Sequence, residues 1–354
     1  AVNKMDNALG RAAIIENGSP LFSGGTSSGE SQIRRWLLEN DLIEAIIALP
    51  VDLFYNTGIA TYIWVLSKNK REERRGKIQL IDAGSIFHKL RKALGNKKNE
   101  ISPEDRSAIT KLYADFAENE LCKIYPNTEF IYREYTVMQP LQRSYAVTEE
   151  RIHAMLSKGS LSSLYDPAKV AELENSEDEL TGKELKKLEN YQNNVPVYEA
   201  IIELLRCADD DKVYLSPAEF MPVLTKILST ATTDKKLLDK IADGLSVMDK
   251  SAEIQRDKKG NIIYDKETKD TEIVKFDESI KDYMAREVLP HVPDAQWFFE
   301  EDLGKKNPVV KTGAEIPFTR YFYKYQQPKP SEELEQRFLE LEKSVSERIA
   351  RLFG

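Results

Sequence analysis

Apolar residues fall in short dense runs over the first hundred positions and at helical spacing after them. GRAAIIE at 10–16, EAIIALP at 44–50, ATYIWVLSK at 60–68 and GKIQLIDA at 76–83 each have the length and turn-residue borders of a strand. Between the first two, ESQIRRWLLEN at 30–40 sets Ile33, Trp36 and Leu37 at helical intervals. A polar loop, NGSPLFSGGTSSGES, follows the first strand. Strand, helix and strand in alternation predict part of an α/β sheet. No β-α-β unit precedes residue 10, so the sheet is expected to begin abruptly.

From about residue 102 the pattern turns helical. Ser102 followed by Pro103 is a start signal for a helix over ISPEDRSAITKLYADFAEN, and Ser216 with Pro217 repeats it for SPAEFMPVLTKIL. Residues 149–157 and 277–289 also read as helices, and VPVYEAIIELLRC as a core helix. The charged stretch 160–195 predicts an exposed helical excursion, and 257–276 a β-hairpin with long polar connections. After Pro328 and Pro330, residues Leu334, Phe338, Leu341, Val345, Ile349 and Leu352 are spaced 4, 3, 4, 4 and 3, a near-heptad stripe. Three heptads are marginal alone, so this helix needs a partner, either the rest of the chain or another subunit. The expected organisation is a sheet region over 1–100, a mostly helical region over 101–327 and an assembly helix over 328–354.

Composition narrows the function classes. At 354 residues the chain has room for two domains and a sizeable core. No apolar run approaches the roughly 20 residues of a membrane helix, and AVNKMDNALGR lacks a signal-peptide pattern. Two distant cysteines, Cys122 and Cys207, offer no disulfide framework and point to a reducing cytoplasm. His88, His153 and His291 lack metal-ligand spacing, so no metal site is expected. A net charge of −8 disfavours DNA binding by the chain as a whole, but the charge is unevenly placed. Residues 68–98 carry 11 basic side chains against 3 acidic ones. Lys68, Lys70, Arg71, Arg74, Arg75 and Lys77 open this run, and Lys89, Arg91, Lys92, Lys97 and Lys98 close it. Such a run is either a solvated loop or a phosphate-contacting edge.

Two stretches invite a chemical reading. GGTSSGES at 24–31 fits a phosphate loop at Gly24, Gly29 and Ser31, but Glu30 stands where that loop needs a lysine. A carboxylate there repels phosphate, which disfavours nucleotide hydrolysis. In FYNTGIATYIWVLSK, Phe54, Tyr55, Asn56 and Thr57 stand at the mouth of a strand. A tight turn and a core would use these residues, and so would a site that receives a flat ring.

The ordered series GRAAIIENGSPLFSGG, IRRWLLENDLIEAIIALPVDLFYNTGIATYIWVLSKNK, GKIQLIDA, GNKKNEISPEDRSAITKLYADF, EFIYREYTVMQPLQRSY, REVLPHVPDAQWF and EIPFTRYFYKYQQPKPSEELE resembles the modification subunit of type I restriction–modification systems. The resemblance covers most of the chain, with 160–250 less telling. It implies an adenine-specific DNA methyltransferase with a Rossmann-like α/β sheet, acting on double-stranded DNA with S-adenosylmethionine as donor. It implies a specificity subunit and a second modification subunit as partners, allows a restriction subunit, and gives no membrane role. Two family motifs, a Gly-x-Gly turn after an early strand and Asn-Pro-Pro-Tyr/Phe, are absent: Asn307-Pro308 is followed by Val309. The chain therefore resembles the C-terminal portion of such a subunit, and as a fragment it is expected neither to bind the cofactor alone nor to transfer methyl groups. By family order, Phe54, Tyr55, Asn56 and Thr57 border the target-base pocket. Lys68, Lys70, Arg71, Arg74 and Arg75 border the DNA or the specificity subunit. Leu334, Phe338, Leu341, Val345 and Ile349 form the docking stripe.

Overall fold

The computed structural model describes residues 1–354 apart from 177–179, 209, 326–327, 329 and 354, and gives the backbone alone for 210, 352 and 353. The stripe position Leu352 and part of the charged excursion thus lie outside the described side chains. The chain is a mixed α/β fold in two compact units. One comprises Ala1–Glu134, Ile273–Glu278 and Glu300–Gly354, the other Tyr135–Glu272 and Ser279–Phe299.

In chain order the first unit begins with β1 (Arg11–Asn17), α1 (Ser19–Phe22), α2 (Gly29–Glu39), β2 (Ile43–Leu49), β3 (Thr61–Ser67) and β4 (Lys77–Asp82). It continues with β5 (His88–Leu94), β6 (Lys97–Glu100), α3 (Pro103–Asp115) and β7 (Cys122–Pro126). The strands β8 (Ile131–Pro140) and β9 (Arg143–Val147) lead through the second unit, which holds α4 (Glu149–Ser157), α5 (Pro167–Glu174), α6 (Gly182–Cys207) and β10 (Asp210–Tyr214). There follow α7 (Pro217–Ile227), α8 (Lys235–Gly244), β11 (Ser246–Met248), β12 (Tyr264–Lys275), α9 (Ile280–Tyr283) and β13 (Gln296–Phe298). The chain returns to the first unit with β14 (Thr312–Ala314), α10 (Phe318–Phe322) and α11 (Ser331–Phe353).

The first unit is built on a sheet of order β1-β3-β2-β4-β7. Its centre, β2, is buried at every position, and the run IEAIIAL is what a strand covered on both faces requires. One face meets α2, where Leu37 and Leu38 join Ile46, Trp64 and Leu80 in one apolar cluster. The other carries Ile47, Ile81 and Cys122 against Ile109 of α3. Both helices start on side-chain caps: Ser28 accepts from the Ser31 N–H, and Ser102 with Asp105 forms a reciprocal capping box. β1 and β2 both run antiparallel to β3, while β2 runs parallel to β4. β1, β2 and β4 therefore point the same way and end on the same side of the sheet.

The second unit centres on β9, flanked by β10 and β11, beneath a helical cluster in which Ile201, Leu205, Phe220, Leu224 and Ile241 are fully buried. Three expectations change here. The charged excursion contains the separate helix α5, and its last part, from Gly182, joins the core helix VPVYEAIIELLRC in one 26-residue helix, α6, running through Pro196. The expected hairpin at 257–276 is a tight turn with an isolated Arg256–Ile262 bridge, followed by the single 12-residue strand β12. This strand runs unbroken beside β8 rather than folding on itself. The helix expected at 277–289 is a short α9 followed by one π turn over Met284–Val288.

Candidate functional site

The sheet of the first unit has two unlike ends and one unlike edge. At the end where β1, β2 and β4 terminate, the connection from β2 to β3 folds into a tight turn. Asp52 has φ +54°, and its N–H donates to the Gly58 carbonyl at 3.3 Å. An isolated bridge joins Phe54 to Thr57. Phe54 is half-buried and lines an apolar cleft with Ile15, Leu49 and Ile63, whereas Tyr55 (60% exposed) and Asn56 face solvent. The four residues read from the sequence thus sit together on one turn, with one ring turned inward and the other outward.

This turn is clamped by an element that appears in the sequence as a charged run: the β5–β6 hairpin. Asn96 N–H donates to the Tyr55 carbonyl at 3.0 Å, Lys98 N–H to the Asp52 carbonyl at 2.9 Å and Asn99 Nδ2 to the Val51 carbonyl at 2.8 Å. The hairpin closes through the two residues Gly95 and Asn96, between the paired Leu94 and Lys97. Gly95 has φ +64°, and a Cβ there would stand 2.8 Å from the Tyr55 carbonyl, so only glycine fits. A two-residue loop with glycine first is a hairpin signal, and it is present in the sequence as Leu-Gly-Asn-Lys. Lys97 Nζ lies 5.3 Å from the Tyr55 ring centroid, and Lys98 pairs with Asp52 at 3.5 Å. Lys89, Arg91 and Lys92 are exposed, and among the described residues no carboxylate lies within ion-pair distance of them.

The opposite end of the sheet carries the first half of the basic run, and there much of the charge is turned inward. Lys70 is buried, bonded to Asp41 at 2.5 Å and to the Lys77 carbonyl at 2.8 Å. Burial pulls its pKa down, and the bond to Asp41 works the other way. Arg74 is buried too, 2.8 Å from Gln79 Oε1 and 3.6 Å from Glu44, with its guanidinium over the rings of Tyr113 and Phe116. Glu44, at the start of β2, also accepts from Arg11 and from the Tyr113 hydroxyl, each at 2.6 Å. Burial and then this carboxylate push the Tyr113 phenol up to about 12. Lys68 donates to the Met5 carbonyl and Asn7 Oδ1. Arg71 and Arg75 remain exposed.

The unlike edge is β1. It pairs with β3 on one side and, among the described residues, with no strand on the other. An apolar cleft lies on each of its faces. The first, about 450 Å³, is bordered by Ile14, Ile33, Leu37 and Trp64, and the Trp64 indole N–H is buried there without a hydrogen-bond partner. The second, about 620 Å³, is bordered by Ala13, Ile15, Phe54, Ile63 and Val65. Ile15 and Ile33 are 52% and 62% exposed at the rim. In the loop tested as a phosphate cradle, Ser31 is fully buried and bonded to both backbone groups of Ala314, so it holds α2 against β14 instead. Every described side chain of α11 is exposed, among them Leu334, Phe338 (70%), Leu341, Val345 and Ile349. Among the described residues no His, Cys, Asp and Glu group is arranged to hold a metal, and no helix is long and apolar enough to cross a membrane.

With this geometry in place, comparison with known proteins finds likeness over part of the chain. Residues 2–151 match the N-6 DNA Methylase family. The particular relatives are methylase subunits of type I restriction enzymes. The MjaVIII methylase subunit of Methanocaldococcus jannaschii is 32% identical over 154 residues, covering 42% of this chain and 26% of that protein. The MjaVII methylase subunit of the same organism is 37% identical over 110 residues, covering 31% and 18%. These matches span about a quarter or less of the relatives' length. A solved type I methyltransferase subunit from Streptococcus thermophilus overlaps 34% of this chain and 24% of that one at 27% identity, with a TM-score of 0.30. The resemblance to type I modification subunits is borne out.

Proposed function

We propose that this chain is the C-terminal portion of an adenine-specific DNA methyltransferase subunit of a type I restriction–modification system. Its first unit supplies the later strands of a Rossmann-like sheet. The observation that carries this reading is the open β1 edge with an apolar cleft on each face. A free strand edge flanked by uncovered apolar surface is what a sheet presents where further strands and helices belong. In the parent protein those elements would bring the glycine-rich turn for S-adenosylmethionine and the Asn-Pro-Pro-Tyr/Phe turn for the flipped adenine, whose exocyclic amine takes the methyl group. Tyr55, with Asn56 and Thr57 beside it, is placed to border that base in a cytoplasmic enzyme acting on double-stranded DNA. Phe54, turned into the cleft, supports the wall.

Calorimetric titration of S-adenosylmethionine into this chain tests the reading. No heat from a chain folded by circular dichroism fits it, and saturable binding overturns it.

The exposed stripe of α11 favours a further role in assembly. Leu334, Phe338, Leu341, Val345 and Ile349 form an apolar seam that is uncovered among the described residues, which suits a helix of the specificity subunit that a pair of modification subunits would share. A restriction subunit would join the same assembly. Deleting 331–354 is expected to abolish co-purification with the specificity subunit while leaving the sheet's circular dichroism intact. Retained co-purification would refute the docking role.

A further inference from the structure

Building on the proposed function, we infer that the β5–β6 hairpin is the element that contacts the phosphates of duplex DNA, and that the run at 68–75 is not. The hairpin stands at the end of the sheet where β1, β2 and β4 terminate, which is where open α/β sheets bind their ligands. The run at 68–75 lies at the other end. The hairpin's shape is set before any partner arrives, by the Gly95–Asn96 loop and by hydrogen bonds from Asn96, Lys98 and Asn99 to the 51–55 turn. Lys89, Arg91 and Lys92 therefore present their charge from a short ordered ribbon rather than from a floppy loop, and ordering it costs little on binding.

Duplex DNA fits this surface better than an acidic protein does. Beside the Gly95–Asn96 loop of the ribbon stand an exposed ring, Tyr55, with the Lys97 ammonium over it, and an exposed amide, Asn56. Nucleic acid offers phosphates for the cations together with base edges and faces for the ring and the amide. An acidic peptide offers carboxylates and backbone amides but no row of flat bases for the ring. A two-stranded ribbon is also an element that the major groove admits.

The test is fluorescence anisotropy of this chain with a short labelled duplex over a salt series. The variants are Lys89→Ala/Arg91→Ala/Lys92→Ala on the hairpin and Arg71→Ala/Arg75→Ala at the opposite end. Each lost phosphate contact lowers the slope of log affinity against log salt by about 0.9, so the hairpin variant is expected to lose about 2.7 of the slope. Equivalently, the unaltered chain weakens about 40-fold more than the hairpin variant between about 50 and 200 mM salt. The Arg71/Arg75 variant is expected to keep the full slope. Should the triple variant misfold, Arg91→Ala alone is read, with an expected loss of about 0.9. An unchanged slope in the hairpin variant, or a loss in the Arg71/Arg75 variant instead, overturns the inference while leaving the proposed function standing. No salt-dependent binding by the unaltered chain overturns the inference and counts against the proposed function as well.

Discussion

The two halves of the basic run have similar composition and opposite fates. Between 68 and 75, Lys70 and Arg74 are buried and matched to Asp41, Glu44 and Gln79. Between 88 and 98, Lys89, Arg91 and Lys92 stand in water without carboxylate partners among the described residues. The difference lies in what precedes each segment. The first follows β3 at the sheet end where β2 presents Glu44 and the α2–β2 turn presents Asp41 from a residue at φ +54°. A buried carboxylate requires a cation, and the nearest lysine and arginine are drawn in. The second rises from the other end on a hairpin whose two strands pair backbone to backbone, leaving Lys89, Arg91 and Lys92 exposed. Charge density along the sequence therefore says little about charge available to a partner.

Substitutions can break this contrast. The largest effect is expected from Glu44→Ala, which leaves buried Arg74 facing no carboxylate and frees Arg11 and Tyr113. Breaking a buried pair from one side costs about 3–5 kcal/mol, and urea denaturation should show a loss of that size. The same measurement on Lys89→Ala/Arg91→Ala/Lys92→Ala should move stability by no more than about 0.5 kcal/mol, as for exposed sites generally. A comparable loss from both would erase the distinction. A smaller effect is expected from Lys70→Met. Asp41 is one-third exposed and keeps the Gly76 N–H and Asn127 Nδ2 as donors, so the loss should be about 1–2 kcal/mol, again read by urea denaturation.

Much of the fold was legible in the sequence. The four apolar runs became β1 to β4, and Ser102 and Ser216 cap the helices they announce. These signals are local: a strand run and a cap are set by neighbours within a few residues. The strand order was not legible, because pairing β1 with β3 rather than β2 depends on contacts across the sheet. The boundary expected between the charged stretch and the core helix at residue 195 is absent: α6 runs through Pro196, with Ile201 and Leu205 packed beyond it. At the candidate site, the turn at Phe54–Thr57 was legible from its composition. The split of the basic run was not, since Glu44 and Asp41 come from residues far upstream. The hairpin could have been read: Gly95-Asn96 between Leu94 and Lys97 carries the signal, masked by the lysines around it.

The finest test of the contrast is Tyr113→Phe. The hydroxyl is one of the donors to Glu44, and its loss leaves Arg11 and Arg74 to hold that carboxylate, so the cost at neutral pH should be about 1 kcal/mol. Its pH dependence is more telling than its size. Burial, and next the Glu44 carboxylate, hold the phenol proton up to about pH 12 in the folded chain, against about 10 for a free tyrosine. Below the ordinary value the phenol is neutral in both states, and its contribution is fully present. As pH climbs from there through the folded value, the unfolded chain releases the proton first, so that contribution is lost. Tyr113→Phe should therefore flatten part of the alkaline fall in the urea midpoint over that window. It should also remove one late-titrating phenolate from the ultraviolet titration of the folded protein. A phenol at position 113 that titrates near the ordinary value would show that Glu44 is hydrated rather than enclosed, and the inward-turned half of the basic run would lose its anchor.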